Sequence, residues 1–121
     1  MLVALPFKPK EFEQIVADHA SGQLTAQNDE IVLPNDKAGL TVDGSVYITQ
    51  DPSGDGYLFR TWRGKGRNFR GYLYWPTNQA ISQGATSVII NGPNAGSLDS
   101  FEAQIKPTSR ADWYEAWFDL D

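Results

Sequence analysis

The chain contains no cysteine and a single histidine. Without thiols there is no disulfide, thiolate zinc site, iron–sulfur cluster or cysteine nucleophile. One histidine among scattered carboxylates makes no ligand cluster, so no metal is expected. Long apolar runs are missing too. The stretch Met1 to Phe7 is short and broken by Pro6, far below the roughly twenty apolar residues of a spanning helix, and it lacks the basic start of a signal peptide. No membrane association is expected, and a cysteine-free chain suits a reducing, cytoplasmic location. There is no internal repeat, low-complexity tract or Pro/Gly/Ser-rich linker, so residues 1–121 are expected to form one domain. Neither a nucleophile elbow nor a dinucleotide fingerprint occurs, and Gly64-Lys65-Gly66 is too short for a P-loop. No catalytic residue and no cofactor is expected.

What is present is globular in character. The apolar fraction of 40% is enough for a core, and aromatics at 12% favour sheet over helix. Residues 9 to 21 read as a helix. Pro9 suits its first turn, Gly22 its end, and Phe12, Ile15, Val16 and His19 form one apolar stripe. From Leu24 onward short apolar runs alternate with turn signals. Expected strands are 31–33, 40–42, 45–50, 57–63, 69–75, 86–90 (fully buried) and 101–106, with residues 51–56 as a turn and residues 77–84 as a helical turn or loop. Residues 112–121 fit either a helix striped by Trp113, Ala116, Trp117 and Leu120 or a strand. The aromatic density and the acids Asp119 and Asp121 favour the strand. The expected fold is α+β: one N-terminal helix on a mainly antiparallel, strongly twisted or partly closed, barrel-like sheet of about six to eight short strands.

The least ordinary stretch is 57–76. It holds five cations (Arg60, Arg63, Lys65, Arg67 and Arg70), no acid, and seven aromatic residues. The chain carries −5 overall, so fifteen acids and five bases lie elsewhere, a balance of −10. The stretch reads as a hairpin in which Tyr57 meets Tyr74, Leu58 meets Leu73, Phe59 meets Tyr72, Trp62 meets Phe69 and Arg63 meets Asn68. Arg60 then lies opposite Gly71, where the missing side chain leaves room for the guanidinium or a ligand. Arg63, Lys65, Arg67 and Arg70 gather at the tip, where Gly64 and Gly66 free backbone N–H groups for an anion.

Guanidinium groups offer paired donors and rings offer faces, so Arg60, Trp62, Arg63, Lys65, Arg67 and Arg70 are the candidate binding residues. An ordinary hairpin with core rings and a charged tip would look the same. The leading reading is a small non-enzymatic domain that binds an unidentified protein or anionic ligand here. Nucleic acid is a weaker choice, because the net charge is negative. A second reading is a barrel-like carrier or enzyme with a pocket joining Arg60 to Glu115 or another carboxylate. A third is a subunit of a homo-oligomer with Trp113, Trp117 and Phe118 at the contact.

Other features carry less. Asp51 to Gly56 has the spacing of a calcium loop, but Trp62 stands where the bidentate Glu is needed, so it reads as a turn. His19 ends an apolar stripe and lacks a nucleophile. Glu115 and Asp119, set between tryptophans, are the best carboxylate pair for acid–base work, with a solvated strand face as the plainer account.

Overall fold

The computed structural model describes residues 4–65, 68–91 and 100–119. Gly66, Arg67, Leu120 and Asp121 lie outside them, and so, from residue 92 onward, does the turn signal Asn91-Gly92-Pro93-Asn94 that is expected to end the 86–90 strand.

Helix α1 spans Pro9–Ala20, and its stripe is the expected one: Phe12 and Ile15 are fully buried. It ends where Gly22 turns left-handed (φ 89°), with the Gly22 N–H donating to the His19 carbonyl. The strands are β1 (Glu30–Val32), β2 (Ser45–Asp51), β3 (Gly54–Arg63), β4 (Phe69–Tyr74), β5 (Ser87–Asn91), β6 (Ser100–Pro107) and β7 (Trp113–Phe118). Among the described residues they form one antiparallel sheet in the order β1-β2-β3-β4-β7-β6-β5. The sheet curls into a half-barrel, bringing β5 back toward β2. The fold is the α+β arrangement expected.

Both faces of the sheet are apolar, so each needs a cover. The inner face closes on itself around Tyr47, Leu58, Phe69, Leu73, Val88, Ile90, Ala103, Ile105 and Ala116. Trp75 and Ile81, the latter on the short helix α2 (Gln79–Ser82), join this inner cluster. The outer face of β1, β2, β3 and β7 supplies Ile31, Val46, Ile48, Tyr57, Phe59 and Trp113 to a second cluster under Phe12 and Ile15.

Several elements differ from expectation. Residues 40–42 do not form a strand: Ala38–Leu40 is a single 3-10 turn, and the Thr41 hydroxyl accepts the Ser45 N–H at 3.0 Å. The turn after β2 shrinks to Pro52-Ser53, because Asp51 accepts the Ser53 N–H at 2.8 Å and Gly54 already pairs with Asp51. β3 therefore begins three residues earlier than the apolar run does. β5 is not buried on both sides. Ile89 is 52% exposed because nothing among the described residues covers the outer face at that edge. Residues 77–84 contain α2, capped by the Asn78 side chain on the Ile81 N–H at 3.0 Å. Residues 113–118 are a strand with the alternation expected of one: Ala116 buried inward and Trp113 buried outward.

Candidate functional site

The hairpin of β3 and β4 begins in the expected register, from Tyr57 opposite Tyr74 to Arg60 opposite Gly71. Then it slips. A bulge at Thr61 sets Trp62 opposite Arg70 and Arg63 opposite Phe69, one residue away from the expected pairs. The cause lies at Gly71. The space left by its missing side chain is not open to a guanidinium or a ligand but is filled by β3 backbone. A Cβ there would collide with the Phe59 carbonyl oxygen and lie 2.9 Å from the Arg60 Cα. Thr61, the extra residue, is buried, and its hydroxyl donates to the Arg70 carbonyl at 3.4 Å.

A bulge reverses the side-chain alternation of the strand that carries it. Leu58 and Arg60 leave the sheet on the inner side, and without the bulge Trp62 would follow them. With it, Trp62 turns to the outer face beside Arg70, whose guanidinium lies 5.8 Å from the Trp62 ring centre. The same slip sends Arg63 inward, beside Phe69 at the rim.

The five hairpin cations therefore do not share one surface. Arg60 is turned inward, its guanidinium 4.5 Å over the Tyr47 ring, ion-paired with Asp43 and donating to the Tyr47 hydroxyl at 2.8 Å. That hydroxyl also donates to Asp43 at 2.7 Å. Burial, then the bond to Asp43, push the Tyr47 phenol up to about 12. Arg60 Nε and Asp43 Oδ1 are buried without a partner among the described groups. The carboxylate joined to Arg60 is thus Asp43 and not Glu115, which stands on the opposite face. Arg63 and Lys65 are exposed, and Arg70 is exposed on the outer face. None of these three has a carboxylate within ion-pair distance among the described residues. Arg67 lies outside those residues.

The strand order adds what the hairpin alone does not have. Arg70 pairs with Trp117 of β7, Trp117 with Gln104 of β6, and Gln104 with Ser87 of β5. Trp62, Arg70, Trp117, Gln104 and Ser87 are thus one straight row across five strands, on the outer face beyond the reach of α1. The next row is Tyr72, Glu115 and Lys106. Between the two rows runs an open groove of about 350 Å³ lined by Thr61, Arg70, Tyr72, Lys106, Glu115 and Trp117. The N-terminal arm forms its wall: Leu5 donates its N–H to the Thr61 carbonyl at 2.8 Å, and Phe7 stacks on Tyr72 at 4.3 Å. No protein-family model, curated protein or solved structure matches the chain. Function is therefore read from this geometry.

Sequence reasoning did not place Lys106 or Trp117 beside the hairpin. The alternation of 101–106 and 113–118 puts Trp117 on one face with Glu115, but only the β4-β7-β6 order brings them to Arg70.

The remaining candidates are accounted for by local contacts. Trp113 is 1% exposed and donates its indole N–H to Glu13 at 2.9 Å, so it lies in the core and not at an oligomer contact. His19 Nδ1 shares a 2.8 Å hydrogen bond with the Tyr57 hydroxyl. Asp51 is occupied by Ser53 and by Asn78 at 3.3 Å, and the described residues hold no cluster of potential metal ligands. Glu115 and Asp119 are four residues apart along extended chain, about 13 Å, too far to share a proton. No described helix is long and apolar enough to cross a membrane.

Proposed function

We propose that this protein is a non-enzymatic binding domain that captures an anionic ligand or an acidic protein surface on the open outer face of its hairpin. Arg70 is the centre of the site, with Trp62 and Trp117 on either side and Lys65 at the tip. Arg63 reaches the same anion only from the other side of the rim, and Arg60 serves the fold instead.

One observation carries this reading. The bulge at Thr61 turns Trp62 out beside Arg70 where no carboxylate among the described residues neutralises the guanidinium. A cation held against a ring and left unpaired keeps its donors for a partner. The chain's acidic balance elsewhere confines anion capture to this patch.

Heparin, a generic polyanion, provides the probe. The triple variant Arg63→Ala, Lys65→Ala and Arg70→Ala should elute from a heparin column at clearly lower salt than the parent, with a melting temperature nearly unchanged. Arg60→Ala should lower the melting temperature and leave the elution salt of the folded fraction unchanged. If the triple variant elutes with the parent, the hairpin is not the anion-binding face.

A further inference from the structure

The groove beside Arg70 makes three chemical demands at once. Trp117 is half-buried and has no aromatic partner among the described residues, so its ring is available to a flat apolar group. Arg70 and Lys106 line the same groove from either side of β7, two strand spacings and two residues apart, about 12 Å between Cα atoms. Two flexible cations at that distance can close on a doubly charged oxyanion. Glu115 lies between them, next to Trp117 on β7 and opposite Lys106 on β6, and it accepts hydrogen bonds only. A simple anion would make no use of the indole or of the Glu115 acceptor. A simple sugar would leave both cations without a counter-charge.

A ligand that answers all three carries a flat ring, an N–H donor on that ring and a phosphate. We infer that the groove holds one nucleotide unit, its base on Trp117, its amino group donating to Glu115 and its phosphate held by Arg70 and Lys106. The inference rests on the reading that the outer face of the hairpin takes anions, and it names the chemistry of the guest. The volume of about 350 Å³ lies at the lower end of small-molecule sites, which suits a single nucleotide. The unit could be free or part of a single strand crossing the row of Trp62, Arg70 and Trp117. Base and phosphate are common to both, with two charges on the phosphate of a free nucleotide and one on each phosphodiester of a strand.

Calorimetric titration of the full chain with adenosine monophosphate, purine riboside monophosphate, adenosine, inorganic phosphate and a short oligodeoxyadenylate separates the terms. Adenosine monophosphate should bind about tenfold or more tighter than phosphate, the factor expected for one stacked base, and tighter than adenosine, which lacks the group held by Arg70 and Lys106. Purine riboside monophosphate, whose ring carries no N–H donor, should bind more weakly than adenosine monophosphate. Trp117→Leu should reduce adenosine monophosphate to the level of phosphate, and Lys106→Ala should weaken both. A gain of more than tenfold for the oligomer identifies a strand as the source; equal affinity identifies the free nucleotide, and both support the inference. Adenosine monophosphate bound no better than phosphate, or unaffected by Trp117→Leu, overturns it. Should that occur while the hairpin triple variant still loses heparin retention, anion capture stands and the nucleotide assignment alone falls.

Discussion

Two halves of one sheet face are built from the same kinds of residue and do different work. In the covered half, Phe59 and Trp113 lie under Phe12, with ring centres 4.4 and 5.8 Å from it, and Phe7 stacks on Tyr72. In the open half, Trp62 and Trp117 flank an exposed arginine. The difference is geometric. Helix α1 has twelve residues, about 18 Å of length, whereas the ten residues of β3 span about 33 Å. One short helix cannot roof the sheet, so rings near Phe59 become core and rings beyond the bulge stay at the surface. An aromatic residue in this protein is defined by what reaches over it.

The sharpest way to break that contrast is to truncate one tryptophan from each half. Trp113→Ala removes a fully buried indole and leaves the Glu13 carboxylate without its N–H donor, so a loss of about 3–5 kcal/mol is expected. Trp117→Ala empties no enclosed space, and the expected change is within about 1 kcal/mol. Urea denaturation of the two variants measures both. Equal losses would mean that the two halves are energetically alike and that Trp117 is core.

The boundary between the halves can be tested at Gly71. Gly71→Ala pushes a methyl group into β3 backbone, an overpacking that should cost about 1–3 kcal/mol and displace the bulge. Because the bulge aims Trp62, the variant should also lose heparin retention, although no charge has changed. Retention at the parent level in a destabilised variant would show that the aim of Trp62 is irrelevant to anion capture.

What was legible in the sequence follows the same division. Helix α1 and the β3–β4 pairs up to Gly71 are legible from spacing within one helix and one hairpin, whereas the spacing of 113–118 fits helix and strand alike and only aromatic density and the acids Asp119 and Asp121 favour the strand. The bulge is not legible. It depends on how closely the backbone of Phe59 and Arg60 approaches Gly71, a contact across two strands that leaves no periodic trace. For the same reason the sequence keeps Arg60 among the candidate binding residues: Asp43, seventeen residues earlier, has to be brought to it by the folding of 41–45. The candidate binding residues were identified as a set, but their division between two faces needed the register, and Lys106 and Trp117 needed the strand order.

The smallest expected effect concerns how the covered half is fastened. Glu13 on α1 accepts from Arg110 through both carboxylate oxygens, at 2.8 and 2.9 Å, and from the Trp113 indole. The Arg110 hydrogen bond is the main reason that the Glu13 carboxyl sits below its ordinary value; burial opposes it, and the Trp113 bond and the Arg110 charge add smaller lowering effects. A carboxylate with a depressed folded-state pKa contributes stability that is fully present above its unfolded value, near 4.5, and is lost as pH falls through the folded value. The tie is surface-exposed and screened, so the change in overall stability should be slight and largest at low salt. Its signature is local. On acidification below about pH 4.5 the indole N–H resonance of Trp113 should shift, while those of Trp62 and Trp117, which have no carboxylate acceptor among the described residues, should not follow it. Glu13→Gln should abolish the shift. If all three indoles move together at the same pH, the two halves of the face respond as one unit, and the division drawn between them is wrong.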